Sequence, residues 1–313
     1  MKERYAAALG RLVEEVDGAL GAPLSLDSLA ARAGISKYHL HHVFRLLTGL
    51  PLMEYVRRRR LSASIDALLE SDRSVIDIAL DHGFGYEQSY IRAFQRSFGV
   101  SPGRYRALRT PLPITERVDV SRLRPFGDDG VLLEPRLILK PAAVICGIRS
   151  KVDLAENEKE NVVTRLANDF FYRARRAIAE PYHEERFVGV VFYSGDPTYN
   201  WYLAGAELRE PPRSGPPEGM EYFELPKRRC MEFVHVSRVH PNRIAWNDLR
   251  RIYAYIFGKW IPEQMGRPAE GWHLEYVETT TARPDYGEFR ILIPLAEQPA
   301  TGYIRNIPIP GRS

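Results

Sequence analysis

Three histidines, His39, His41 and His42, stand beside Lys37, Tyr38 and Arg45 in the stretch GISKYHLHHVFRLLTG at 34–49. Such a group could hold a metal, move protons or touch a ligand. Metal is the weakest of these: zinc needs side chains that converge on one point. His41 and His42 are adjacent and diverge by about 100° on a helix, while His39 and His42 have no Cys or carboxylate nearby. Laid on a helical wheel after a Ser36 N-cap, Leu40, Val43, Phe44 and Leu47 share an apolar arc. Tyr38, His41, His42 and Arg45 fall on the opposite arc, and His39 lies to one side. A short helix with Leu26, Leu29 and Ala30 turned inward precedes them and ends at Gly34. This is a helix-turn-helix pattern, whose second helix fits a DNA major groove and presents side chains to base edges. The plain alternative is a solvated surface.

The pattern recurs in VIDIALDHGFGYEQSYIRAFQRSFG, with Tyr90, Phe94 and Phe98 facing in and Gln88, Ile91, Arg92 and Gln95 facing out. Glu87, near the start of that helix, could accept from cytosine N4 or simply serve the helix end. Between the copies, PLMEYVRRRRLSASIDALLES reads as one long helix on Leu61, Ile65, Leu68 and Leu69. Its run Arg57–Arg60 is expected near phosphates or acidic neighbours rather than bases.

Further along, aromatic residues gather at strand ends, among them Tyr193, Trp201, Tyr202, Tyr253 and Trp260. Glu207 and Glu275 sit inside strand-like segments, where an ionised group needs a reason. In WHLEYVE, alternation puts His273 and Glu275 on one face and Leu274 and Tyr276 on the other. A carboxylate among aromatic rings suits an amphipathic cation; the alternative is aromatics in a core with glutamates reaching solvent.

The elements that must position these groups change character along the chain. Residues 1–109 are helical in pattern, and 110–130, rich in Pro, Asp and Gly, read as a linker. Residues 131–300 alternate branched, aromatic strands with helical stretches near 157–180 and 244–260, and 301–313 read as a tail. The expected fold is therefore an all-α domain followed by an α+β domain, each with an internal duplication: two helix-turn-helix motifs, then two strand–helix–strand–strand units. Residues 1–110 hold 16 of the 44 Lys and Arg and 12 of the 40 Asp and Glu, so they carry the whole formal charge of +4. A basic module meeting a polyanion, joined to a neutral one, fits that split. Cys146 and Cys230 lie in apolar strand-like runs and are expected as buried thiols. With no membrane-length apolar run and no signal-peptide pattern at the start, a cytoplasmic, nucleoid-associated protein is expected.

Residues 5–107 resemble the DNA-binding domain of AraC/XylS-type transcription regulators. LSLDSLAARAGISKYHLHHVFRLLTG, RRRRLSASIDALL and IDIALDHGFGYEQSYIRAFQRSFGVSPGRYR carry the likeness, closing on Gly-x-Ser-Pro-x-x-Tyr-Arg at Gly99–Arg106. The resemblance implies a seven-helix domain whose two reading helices enter successive major grooves. DNA contacts are then expected at Ser36, Lys37, Tyr38, His41, His42 and Arg45, and at Glu87, Gln88, Ser89, Ile91, Arg92 and Arg96. Close relatives often have Gln-Arg at the His41-His42 positions and Gln at Glu87, so base preference does not transfer.

Residues 131–297 resemble the GyrI-like effector-binding domain, through PEGMEYFELPKRRCMEFVHVS, RRIYAYIFGKWIPE, GWHLEYVE and FRILIPL. This implies two pseudo-symmetric βαββ halves with a ligand groove between them and a pocket glutamate at Glu275. The ligand set expected is Tyr193, Trp201, Tyr202, Glu207, Trp260, His273 and Glu275. Arg290 stands where many relatives have a glutamate, which opens the groove to an amphipathic or partly anionic ligand. Together the two resemblances imply a sequence-specific regulator that senses a small molecule, with double-stranded DNA, an effector and RNA polymerase as partners, and no metal or cofactor. Two other functions stay open. In one, a small-molecule hydrolase uses Glu275 as general base, although no nucleophile or phosphate-loop motif is present. In the other, the second domain grips a protein.

Overall fold

Four N-terminal helices begin on a serine whose hydroxyl accepts a backbone N–H of the first turn: Ser25, Ser36, Ser74 and Ser101. Such caps satisfy donors that a helix start leaves unpaired. The helices run α1 (Arg4–Gly18), α2 (Leu26–Ala33), α3 (Lys37–Thr48), α4 (Leu52–Glu70), α5 (Val75–Asp81), α6 (Glu87–Phe98) and α7 (Pro102–Leu108), and the four caps start α2, α3, α5 and α7. The computed structural model describes residues 4–126, 130–178, 181, 186–243, 246–266, 268 and 270–296. Contacts divide the described residues into two units, one over Arg4–Arg122 and one from Leu123 to Ala296.

In the helical unit α4 is a shared spine. Its first half, with Tyr55 and Val56, packs into a core with Leu29, Leu40 and Phe44; its second half, with Leu61 and Leu68, packs with Ile78, Tyr90 and Phe94. Each such fully buried side chain contributes about 1.5–3 kcal/mol. The α2–α3 turn passes through Gly34 at φ 64 and the α5–α6 turn through Gly83 at φ 74, left-handed conformations that glycine adopts without strain.

The arginine run meets acidic side chains and backbone carbonyls, and only Arg57 and Arg58 are exposed. Arg57 and Arg58 pair with Glu54 on their own helix. Arg59 Nε donates to Asp17 at 2.7 Å and its Nη1 to the Thr115 carbonyl at 2.7 Å. Arg60 donates to the carbonyls of Gly83 at 2.8 Å and Ala22 at 2.7 Å, fastening the second turn to the α1–α2 loop. His39 is likewise a core residue: it is fully buried, and its ring meets the Tyr5 hydroxyl. The stretch 110–130, expected as a linker, is structured at both ends. Thr115 N–H donates to Ser62, Val118 N–H donates to Tyr55, and a strand begins at Leu123. Its polar composition hid these anchors, which are made through the backbone.

Among the described residues the second unit has ten strands: β1 (Leu123–Phe126), β2 (Gly130–Leu133), β3 (Arg136–Lys140), β4 (Ala143–Asp153), β5 (Arg186–Tyr193), β6 (Tyr199–Leu208), β7 (Glu221–Leu225), β8 (Arg228–Ser237), β9 (Trp272–Glu278) and β10 (Gly287–Pro294). They form one sheet in the order β1-β2-β8-β10-β9-β5-β6-β4-β7, with β3 also on β8. Helices α8 (Leu154–Glu160) and α9 (Val162–Tyr172) follow β4. Helix α10 (Trp246–Tyr255) follows β8 and runs through a π-helical turn at Ile256–Trp260 into α11 (Ile261–Gln264). The halves β4-α9-β5-β6 and β8-α10-β9-β10 are thus repeats joined by the antiparallel β5–β9 pair at the sheet centre. The expected helix at 157–180 is interrupted at Asn161, which has φ 53, and the tail 301–313 lies outside the described residues.

Helices cover one face of this sheet, where Phe170 of α9 packs near Phe187 and Ile252 of α10 near Phe233 and Phe289. The other face gathers Ile145, Val188, Leu203, Leu274 and Leu292. Cys146 and Cys230 are buried free thiols whose pKa burial pushes up to about 11, far from thiolate chemistry at neutral pH. No helix among the described residues is long and apolar enough to cross a membrane.

His235 on β8 is buried, and among the described residues neither ring nitrogen has a hydrogen-bond partner. Burial pushes its pKa down to about 4, because the charged ring would lose its hydration. The folded state therefore favours neutral His235. Its contribution is present above the unfolded pKa, near 6.5, and is lost as pH falls towards 4. Urea unfolding of the strand-rich unit should show about 3 kcal/mol less stability at pH 4 than at pH 7 from this residue. A His235→Gln variant should lose most of that dependence.

Candidate functional site

Helix α3 presents Lys37 and Arg45 exposed, with Tyr38, His41 and His42 half-buried along the same outer face. Tyr38 and His42 stack at 4.0 Å between ring centroids, and His42 Nδ1 lies 3.0 Å from the Tyr38 carbonyl. The pair is thereby held at a fixed tilt, which lowers the entropy lost on contact with a ligand. Partial burial, then the neighbouring His42 and Arg45, hold the His41 pKa below the ordinary imidazole range. At neutral pH His41 is thus a neutral donor and acceptor. Ser36 caps the helix, accepting the His39 N–H at 3.1 Å, and Lys37 pairs with Asp27 at 2.8 Å.

Helix α6 exposes Gln88, Ser89, Arg92, Gln95 and Arg96, with Glu87 and Ile91 half-buried. Ser89 Oγ donates to the Tyr86 carbonyl at 2.6 Å, which fixes the first turn. Tyr86 itself is 77% exposed just before that turn. An aromatic ring standing open at the start of α6 was not singled out in the sequence, where it reads as loop. Among the described residues no group of three or more His, Cys, Asp or Glu is arranged to hold a metal.

A cavity of about 400 Å³ opens on the helix-covered face of the second unit, over the central pair β5 and β9. Tyr193, Trp201, Tyr202, His273 and Glu275 line it, together with Phe171, Tyr253 and Phe257. Glu275 is 6% exposed. The Tyr202 hydroxyl donates to its Oε2 at 3.2 Å and the Tyr253 hydroxyl donates to its Oε1. Burial first, and the Glu275 carboxylate second, raise both phenol pKa values well above 10, so both stay protonated donors. His273 Nε2 lies 3.5 Å from Glu275 Oε1, and its Nδ1 lies 2.8 Å from the Tyr193 hydroxyl. Gly189 faces Glu275 across the β5–β9 pair. A Cβ there would come within 2.3 Å of the Tyr202 hydroxyl, so the glycine makes room for that ring.

Two residues expected in this site lie elsewhere. Glu207 is bound by Lys140 at 2.8 Å and by the Tyr276 hydroxyl at 3.1 Å, in a separate polar cleft of about 760 Å³. Its partner Tyr276 alternates with Glu275 along β9 and so points to the opposite face. Trp260 packs edge-on against Phe233, with ring centroids 5.0 Å apart, in the core under α10. Arg290 also points away from the cavity. It is bound by Glu232 at 2.9 Å and Glu288 at 2.6 Å, so it gives no reason to expect an anionic ligand. The cavity's lining cation is Arg250, paired with Glu158 at 2.6 Å. Tyr253 and Phe257, on the helix and its π turn, complete the aromatic wall; Tyr253 was visible in the sequence only as one aromatic among many.

A helix-turn-helix domain model matches residues 29–108 and a GyrI-like small molecule binding domain model matches residues 133–296, which is more than half of the chain. The chain belongs to the AraC-type family and carries a GyrI-like domain. It is 41% identical over 109 residues to the right origin-binding protein of Escherichia coli K12, covering 32% of this chain and 38% of that one. It is 38% identical over 95 residues to the regulatory protein SoxS of Salmonella typhimurium, covering 30% of this chain and 89% of that one. The transcriptional activator AarP of Providencia stuartii is 43% identical over 91 residues, 29% of this chain and 67% of that one. The match thus spans well under half of the right origin-binding protein's length, while it takes in most of SoxS.

Proposed function

We propose that this chain is a sequence-specific DNA-binding transcription regulator. Helices α3 and α6 read two successive major grooves, and the second unit senses a small aromatic cation. The observation that carries this is the presence of two helices of like construction with exposed outer faces, each on its own core, together with a cavity whose buried carboxylate is ringed by phenols. Double-stranded operator DNA is the macromolecular ligand, and RNA polymerase is the protein partner such a regulator must meet at a promoter. Its place of work is the nucleoid, where its operators lie.

In this reading Tyr38, His41, His42 and Arg45 on α3 and Gln88, Ile91, Arg92 and Arg96 on α6 face the duplex. Ser36, Lys37, Glu87 and Ser89 lie at the helix starts, where side chains and backbone N–H groups meet phosphate. A discriminating base contact is worth about 1–3 kcal/mol. His42→Ala and Arg92→Ala should therefore each weaken binding to a selected operator by about 5- to 150-fold and leave random-duplex binding almost unchanged. Fluorescence anisotropy on both duplexes measures it; unchanged discrimination in both variants would remove these residues from the reading face.

The ligand is taken to be cationic and aromatic because the cavity offers rings on most sides and Glu275 at its wall, with Arg250 already paired. Quenching of Trp201, which lines the cavity and is 38% exposed, reports occupancy. Tetraphenylphosphonium should quench saturably, and the uncharged triphenylphosphine oxide should bind far more weakly.

A further inference from the structure

We propose that His273 is the resident counter-group of Glu275, which an aromatic cation must displace, so that ligand binding releases a proton. This rests on the cationic-ligand reading above and adds a specificity-determining residue to it. His273 is 2% exposed and lines the cavity. Its Nε2 has no hydrogen-bond partner among the described residues and points to Glu275 Oε1 across 3.5 Å. Its Nδ1 meets the Tyr193 hydroxyl, a group that can donate to a neutral ring or accept from a protonated one. The imidazole can thus take up a proton without breaking its second contact. Three rings hold it in that orientation, with centroids 5.6 Å away at Tyr193, 5.8 Å at Tyr253 and 5.2 Å at Phe257.

In the imidazolium form the pair is closed: the carboxylate has its counter-charge, and a second cation meets a neutral site. In the neutral form Glu275 is served by phenol donors alone and its charge is free to attract a ligand. Cation binding and His273 protonation therefore oppose each other, and linkage makes the opposition reciprocal. Tyr193, Tyr202 and Tyr253 face the same pair, and all three are held protonated, Tyr193 by burial first and Glu275 second. Arg250 on the cavity wall is paired with Glu158, and His240 also lines the cavity, so it is a second imidazole to control for.

The test uses full-length protein and tetraphenylphosphonium, whose charge does not change with pH. Affinity should rise with pH, by up to about tenfold per pH unit, and then level off. Calorimetry in two buffers of different ionisation enthalpy should show up to one proton released per cation bound. His273→Asn, which does not titrate, should bind with little pH dependence and no proton release, and His240→Asn should behave like the parent. Because proton release is read on the parent protein, the test stands even where a variant folds poorly. A parent affinity that does not vary with pH overturns the proposal while leaving the cation site intact. So does a dependence that survives in His273→Asn, which would belong to protonation of Glu275 itself. Absence of binding at every pH overturns both this proposal and the cationic-ligand reading.

Discussion

Glu275→Gln should weaken tetraphenylphosphonium binding by about 2–3 kcal/mol, a loss of about 30- to 160-fold, with little effect on an uncharged aromatic probe. The substitution keeps the side chain's size and one acceptor oxygen but removes the charge. Because Glu275 is buried among rings, little water screens that charge, and a cation beside it gains more than at an exposed carboxylate. The amide also faces a mismatch. Tyr202 and Tyr253 both donate to the carboxylate, and an NH₂ in place of one oxygen leaves one phenol to turn its proton elsewhere. Equilibrium titration followed by Trp201 quenching gives the number. An equal loss for charged and neutral probes would mean that Glu275 shapes the cavity rather than attracting charge.

Replacing Arg59 and Arg60 together with alanine should destabilise the helical unit by about 2–4 kcal/mol and leave the salt dependence of DNA binding unchanged. The first part follows from their partners. Arg59 bridges Asp17 and the Thr115 carbonyl, while Arg60 fastens the Gly83 turn to Ala22. Asp17, whose side chain is 8% exposed, would lose its closest cationic partner. The second part follows because guanidinium groups already spent on carbonyls and carboxylates release no counterions from DNA. Arg96→Ala on the exposed face of α6 is the contrasting case. It should leave stability nearly unchanged and reduce the slope of log affinity against log salt by about 1. Helical circular dichroism during urea unfolding reads the stability, and binding at several salt concentrations reads the slope.

The Arg57–Arg60 run marks a limit of what the sequence can say. Four consecutive arginines look alike on paper, yet they diverge around a helix: Arg57 and Arg58 meet Glu54 on their own helix, while Arg59 and Arg60 meet partners supplied by α1, the α1–α2 loop, the α5–α6 turn and residue 115. The partners of Arg59 and Arg60 are far away in sequence. The helix-turn-helix units were legible because their information is local: a serine cap, an apolar period of 3.6 and a glycine turn all lie within a few residues. His39 escaped that logic, since the wheel placed it at the edge of the apolar arc and a tyrosine from α1 decides that it is buried.

In the second unit the duplication could be read, but the β5–β9 pair that joins the halves, and on which the cavity stands, is set by strand pairing that the repeat alone does not specify. The two glutamates show where such reading stops. Glu207 and Glu275 give one signal, an ionisable residue in an apolar strand. Alternation sorts neighbours within a strand, but not which face of one strand matches which face of another. Register decides it: Glu275 turns to the helices and the cavity, and Glu207 turns to Lys140 and Tyr276 on the far side. Arg290 was misleading for the same reason.

The most direct measurement selects bound fragments from random duplex DNA with full-length protein at physiological salt and sequences them. Two helices of like construction reading successive grooves predict two short enriched blocks about 10 base pairs apart, centre to centre. Enrichment of one block alone would take α3 or α6 out of the reading role. No enrichment, with or without tetraphenylphosphonium, would contradict the account of this chain as a sequence-specific regulator.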